Sequence, residues 1–297
     1  MSEVTKRFGL SVALATPFLS DGSIDHAGLT AHAERCLKHG CDSVTVFGTT
    51  GEGASIGHRE RETVLDAMAG AGIRDGRLVV GISSTSVEDV VTDVRSAQAL
   101  GSRGILLPPP FYFKNVSDDG VVAWYSAVFR ELGEQARDII LYNIPQLTGV
   151  ELSVDLISRL RAAFPGTVTG VKDSCCDWSR TEPLLAAHRD IAVLVGDERD
   201  LAAAVRLGGE GAICGMANLY PAEMRAIAWT GTDDGRIREL VDLMNDYPVV
   251  PAIKALLAHQ SGNADWLRVR APLEELDGSE TARLGQGADQ LASGRAA

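Results

Sequence analysis

Eight short apolar runs recur along the chain, each followed by a longer helical stretch, and this alternation restricts the fold more than any other feature. The runs are Leu10–Pro17, Ser43–Gly48, Leu78–Ser83, Gly104–Leu107, Asp138–Asn143, Thr167–Lys172, Ile191–Gly196 and Gly211–Gly215. They are rich in β-branched residues or Leu, and Gly or Pro usually marks their ends. Their hydrophobicity is nearly continuous, which suits parallel strands buried on both faces. Helical patterns lie between them. Asp25–Lys38 opens on a capping aspartate and ends before His39-Gly40. Ser86–Leu100 has Ser86 as N-cap, Asp89 in its first turn and Gly101 as its stop. Ser153–Phe164 stops at Pro165-Gly166, and the short Ala-rich Asp200–Leu207 stops at Gly208-Gly209. Eight such units predict an α/β fold, a closed (β/α)₈ TIM barrel. A doubly wound open sheet is the alternative, but the chain has no Gly-x-Gly-x-x-Gly fingerprint.

The 297 residues suit one such barrel. Residues 1–234 are expected to form the catalytic barrel, and 235–278 a C-terminal helical extension of the same domain. Residues 279–297, with their Gly, Ser, Gln and Asp, are expected to be a flexible tail. Hydrophobic residues make up 45% but aromatics only 5%, so the core must be built from Val, Leu, Ile and Ala.

Composition also excludes partners. The formal net charge is −12 and no Lys/Arg stripe offsets it, so nucleic acid is a poor partner. No apolar run approaches transmembrane length, so no membrane partner is expected. Lys6-Arg7 followed by Phe8 to Ala15 imitates a secretory leader, but the segment runs without a break into Thr16-Pro17-Phe18 and is needed as the first strand. The five cysteines are odd in number and lack Cys-x-x-Cys spacing, which fits a reducing, cytoplasmic setting.

In a barrel of this kind the chemistry sits at the C-terminal ends of the strands. Those ends carry Gly48-Thr49-Thr50-Gly51-Glu52, Pro108-Pro109-Pro110-Phe111-Tyr112, Tyr142-Asn143-Ile144-Pro145, Gly170-Val171-Lys172-Asp173-Ser174 and Gly196-Asp197-Glu198. Lys172 follows an apolar strand, so its stem should lie among buried residues. Burial pushes a lysine pKa down, and a neutral amine attacks ketones. The competing reading is a lysine snorkelling to the barrel rim. Tyr142 ends the preceding strand and can face Lys172 as a proton shuttle, or else pack as a rim aromatic. The Gly48-Thr49-Thr50-Gly51 turn offers hydroxyls and N–H groups to a carboxylate, or is a plain turn. An anion cradle, a phenol and an amine together are what a 2-keto acid requires.

These segments, in this order, resemble the dihydrodipicolinate synthase / N-acetylneuraminate lyase family of class I pyruvate-dependent aldolases. The likeness spans roughly residues 8–275 and includes Ala15-Thr16-Pro17-Phe18, Thr148-Gly149, Gly211-Ala212-Ile213 and Leu267-Arg268-Val269-Arg270-Ala271-Pro272. The resemblance implies that Lys172 forms an imine with pyruvate or a pyruvate-derived keto acid and that Tyr142 is the general acid/base. It implies that Thr49 joins a hydroxyl relay between Tyr142 and Tyr112, and that Thr50, in the turn begun by Gly48, holds the substrate carboxylate. Gly196 and Ile213 would line the site. Tyr112 would reach in from a neighbouring subunit of a homotetramer built as a dimer of dimers. No cofactor is expected, and the six histidines show no metal-binding spacing, which agrees with a site without metal.

One position departs from the synthases of this family. They usually carry an arginine two residues after the proline of Tyr-Asn-x-Pro; here that residue is Leu147. This favours an aldolase or lyase joining pyruvate to an aldehyde, for a 2-keto-3-deoxy sugar acid or related hydroxy keto acid, with Asp197 and Glu198 as candidates to bind substrate hydroxyls. The acidic pair is equally readable as helix N-terminal charge. The alternatives are 4-hydroxy-tetrahydrodipicolinate (dihydrodipicolinate) synthase, a keto-deoxy sugar acid dehydratase or hydratase-aldolase, and, in another class, a non-catalytic keto-acid-binding barrel.

Overall fold

In a computed structural model that describes residues 7–294, the apolar runs form one closed, all-parallel sheet in sequence order. The strands are β1 Gly9–Ala13, β2 Ser43–Val46, β3 Leu78–Gly81, β4 Gly104–Leu107, β5 Ile139–Asn143, β6 Val168–Asp173, β7 Ala192–Val195 and β8 Gly211–Cys214. β8 returns to β1, pairing Gly9 with Gly211 through Val12 with Cys214, and so leaves no free edge. The fold is therefore the α/β TIM barrel that the alternation of segments predicts. Several strands end earlier than their apolar runs. In β1, Leu14 N–H still reaches Thr45 O, but Ala15 N–H turns to the Asn218 side chain, and the chain leaves the sheet there.

The helices are α1 His26–Lys38, α2 His58–Gly70, α3 Val87–Ala99, α4 Asp118–Leu132, α5 Pro145–Thr148, α6 Val154–Ala163, α7 Trp178–Ala187, α8 Leu201–Arg206, α9 Pro221–Thr230, α10 Gly235–Met244, α11 Val249–Ser261 and α12 Gly278–Ala292. Asp25, Ser86 and Ser153 cap α1, α3 and α6 by accepting the N–H of Gly28, Asp89 and Leu156. No helix among the described residues is long and apolar enough to cross a membrane.

The core has two shells. The larger lies between the strands and the helices and is dominated by Val, Leu, Ile and Ala. The smaller fills the barrel with Phe8, Ala13, Val79, Leu106, Ile140, Tyr142, Leu194 and Ile213 among others. Strand parity places Ser11 and Thr45 on this inner face, where their hydroxyls bond each other at 2.8 Å. The interior is thus packed by these side chains, and the candidate strand-end residues border open space at its C-terminal end.

The C-terminal segment corrects one expectation. Residues 279–292, read from composition as part of a flexible tail, lie in α12, which begins at Gly278. Asp277 accepts the N–H groups of Ser279 and Glu280, while the Glu280 side chain accepts the Asp277 N–H. Leu284 and Ala288 are buried. Gly285 serves packing rather than flexibility, because a Cβ there would lie 2.6 Å from His259 Nδ1. Residues 295–297 of the expected tail, and 1–6 ahead of the first strand, lie outside the described residues. If α12 belongs to the cooperative fold, Leu284→Ala should cost about 2–5 kcal/mol, as buried leucine truncations do. Chemical denaturation checks this, and a change within about 0.5 kcal/mol, typical of a surface site, would show that α12 folds separately.

Candidate active site

The register of β5 and β6 sets the centre of the candidate site. Tyr142 pairs with Lys172 and Asn143 with Asp173. Lys172 Nζ donates to Tyr142 Oη at 3.2 Å, and both residues are only 5% exposed, so Lys172 is an interior lysine and not a rim one. Thr49 Oγ1 lies 3.3 Å from the same Tyr142 oxygen. Behind this trio is a latch that the sequence reading did not find. Asp173 accepts from Asn143 Nδ2 at 2.7 Å and from the Thr181 hydroxyl at 2.6 Å, and Asn143 Oδ1 accepts the Leu152 N–H at 2.9 Å. A slip of one residue between β5 and β6 would turn Tyr142 or Lys172 out of the barrel, and these buried bonds oppose it.

The threonine turn is held from several sides. Glu52 N–H bonds Thr49 O at 3.0 Å, and Gly53 N–H bonds Gly48 O at 3.1 Å. Phe47 and Glu52 occupy left-handed backbone at φ 59° and 56°. Such conformations cost on the order of 1–3 kcal/mol each and persist only where surroundings enforce them. Arg61 of α2, itself buried, donates to Gly53 O at 2.8 Å and Gly81 O at 2.9 Å. Glu52 forms a completely buried ion pair with Lys254 of α11. Burial lowers the Lys254 pKa, and Glu52 opposes that shift. The signal that could have drawn attention to Lys254 was a lone charge within the otherwise apolar run 249–258.

Thr49, Thr50, Tyr142, Lys172, Gly196 and Ile213 line one cavity of about 250 Å³ at the barrel mouth, together with Asp197 and Glu198. Gly196 keeps this space open, since a Cβ there would lie 1.9 Å from Ser174 Oγ and 3.3 Å from Lys172 Cε. Asp197 and Glu198 are not equivalent. Burial pushes Asp197 up, but two Arg199 contacts, at 3.0 and 2.7 Å, leave it below the usual carboxylate range. Glu198 accepts the Met216 N–H at 2.8 Å, and burial raises its pKa.

A second, more apolar cavity of about 520 Å³ adjoins the first, sharing Thr49, Tyr142, Ile144 and Val249. Gly48, Ile82, Leu106, Pro108, Phe111 and Leu147 contribute to its wall. Tyr112 lines neither cavity. It is 76% exposed and stacks edge-on against the equally open Phe113 at 5.3 Å. The sequence-derived residues therefore converge on one mouth, apart from Tyr112. Among the described residues, no three His, Cys, Asp or Glu side chains come together as a metal site. A buried amine beside a phenol, with a second hydroxyl next to it, can add to a carbonyl and move the protons that this addition requires.

Comparison with known proteins places the chain in a family. The sequence profile of the dihydrodipicolinate synthetase family matches residues 6–290. The crystal structure of dihydrodipicolinate synthase from Agrobacterium tumefaciens is 54% identical, superposes with a TM-score of 0.94, and is matched over 96% of this chain and 99% of its own. An uncharacterised DapA-like lyase of Chloroflexus aurantiacus is 31% identical over 96% of this chain and 97% of its own length. A 4-hydroxy-tetrahydrodipicolinate synthase of Methanoculleus marisnigri is 32% identical over 93% and 96%. The chain belongs to the dihydrodipicolinate synthetase family, and it is a carbon–carbon lyase of the class I, pyruvate-dependent aldolase type.

Proposed function

We propose that the protein makes or breaks a bond between pyruvate and an uncharged hydroxy-aldehyde, acting on a 2-keto-3-deoxy sugar acid or a related hydroxylated keto acid. The observation that carries this reading is the charge of the mouth. Among the described residues that line the two cavities, Lys172 and Arg199 are the basic ones. Arg199 already donates to Asp197 and, at 2.9 Å, to Asp242. Leu147 stands where a gripping arginine would be needed, and Glu198 adds a carboxyl group to the polar wall. An aldehyde bearing its own carboxylate would be desolvated there without a free cation. Glu198 is the better placed of the acidic pair to bind a substrate hydroxyl, since Asp197 is committed to Arg199.

The chemistry follows from the trio. Lys172 Nζ attacks C2 of the keto acid, and Tyr142 passes protons to and from the carbinolamine as water leaves. The resulting iminium draws electrons from C2, so C3 can lose a proton to give an enamine, or be released as one when the C3–C4 bond breaks. In synthesis the enamine C3 attacks the aldehyde carbon, and hydrolysis returns the free amine. Thr50 and its amide would hold the carboxylate, and Thr49 would relay protons beyond Tyr142. The role is assigned to Lys172 itself, with no separate cofactor. The open Tyr112–Phe113 pair supports an assembly, a homotetramer built as a dimer of dimers, in which Tyr112 completes a partner's relay. The second reading, 4-hydroxy-tetrahydrodipicolinate synthase, draws its support from the names of several relatives.

Pyruvate with borohydride should inactivate the enzyme and leave one reduced pyruvate adduct, on Lys172. Peptide mass mapping checks this, and an adduct on another lysine, or none, would overturn the mechanism. Tyr142→Phe should lower turnover by about 10²–10⁴-fold, the usual worth of a positioned acid/base group, with a smaller effect on pyruvate affinity. Intact turnover with lost affinity would reassign Tyr142 to binding. Steady-state kinetics should give a higher kcat/KM for neutral hydroxy-aldehydes than for aspartate semialdehyde. Leu147→Arg should narrow or invert that ratio, since a charge-assisted hydrogen bond contributes roughly 1.5–3 kcal/mol. A wild-type preference for aspartate semialdehyde would favour the synthase.

A further inference from the structure

The Arg268–Arg270 segment and the lysine of α11 have no part in the chemistry above, yet both converge on the threonine turn. Lys254 Nζ donates to Glu52 and to Arg268 O, and lies 4.4 Å from the centre of the Phe18 ring. The other Glu52 oxygen accepts the Arg270 N–H at 2.8 Å. The Arg270 guanidinium reaches Ser55 O at 3.0 Å and Glu60 at 2.8 Å. Both side chains of the Glu52–Lys254 pair are wholly inaccessible.

We infer that Glu52 and Lys254 are a positioning pair, by which the C-terminal helices hold Thr49 and Thr50 in register with Tyr142 and Lys172. The proposal rests on the functional reading of those four residues. Three observations support it. Glu52 follows Thr50 by two positions and bonds Thr49 through its own N–H, so its side chain anchors the turn directly. Its left-handed backbone will relax unless something holds it. The Thr49–Tyr142 contact, at 3.3 Å, is near the limit of a hydrogen bond, so a shift of a few tenths of an ångström breaks it. A buried ion pair is a poor device for stability alone, because apolar residues of similar volume often serve as well or better. What it supplies is direction: two carboxylate oxygens held by fixed donors on the C-terminal segment.

That reasoning separates positioning from stability experimentally. Single variants such as Lys254→Met leave an unpaired buried charge and should melt lower. The double variant Glu52→Gln/Lys254→Met removes both charges and should fold with a melting temperature close to wild type. Its kcat should nevertheless fall by about 10–100-fold, the scale of a small displacement of a reacting group, with a smaller change in KM for pyruvate. Borohydride trapping at saturating pyruvate should slow in parallel. A crystal structure of the double variant should show Thr49 Oγ1 beyond hydrogen-bond reach of Tyr142 Oη. A folded double variant with wild-type kcat, or with the Thr49–Tyr142 contact unchanged, would overturn the proposal. So would a double variant that does not fold, since the pair would then serve folding. If wild-type protein failed to trap pyruvate, the functional reading would fall, and the crystallographic comparison would still decide whether the pair positions the turn.

Discussion

Closure of the sheet is the constraint on which the rest depends. β8 pairs with β1, and the eight strands run parallel, so every strand delivers its C-terminal end to the same mouth. Residues far apart in sequence then face one another across a packed interior. Thr49 and Tyr142 lie 93 residues apart and Lys172 another 30, yet their polar atoms share one hydrogen-bonded chain. In an open sheet the end of β2 and the end of β6 would lie at separate places along an edge, and no single cavity could hold all three.

Packing inside that ring decides which groups can react. The barrel interior below the mouth is filled by apolar side chains that include Val79, Ile140 and Leu194. Buried charges elsewhere in the mouth have charged or donor partners: Asp197 with Arg199, Glu52 with Lys254, and Asp173 with Asn143 and Thr181. The hydrogen bond of Lys172 goes instead to a phenol. An amine held by a phenol keeps a proton carrier beside it without being committed to a carboxylate, which suits a nucleophile more than a structural cation.

The mouth is also asymmetric. One wall carries Thr50, Asp197 and Glu198, the other carries Ile82, Leu106, Pro108 and Leu147, and Thr49 borders both. That division sets polar groups on one side of the mouth and apolar groups on the other. Of the six non-glycine residues with left-handed backbone among those described, Phe47, Glu52 and Cys176 lie around the same mouth. The C-terminal segment contributes to this region through Lys254, Arg268 and Arg270, and to the core through α12.

Much of this was legible without coordinates. Continuous apolar runs need burial on both faces, and eight of them alternating with helical stretches leave a closed barrel as the economical solution. Gly, Pro and capping residues marked most boundaries to within a few positions, because their backbone preferences are local. The rule that barrel chemistry sits at strand ends then picked out Lys172, Tyr142 and the threonine turn. Tertiary structure alone decided the rest, since the physical causes were contacts between distant segments. Composition read 279–297 as a flexible tail, but a capping box and the burial of Leu284 make 279–292 part of a helix. Asp197 and Glu198 are adjacent in sequence and differ because Arg199 reaches one and Met216 N–H the other. Lys254 and Glu52 are 202 residues apart, and their pairing has no local signature: it exists because folding removes both charges from water at the same place.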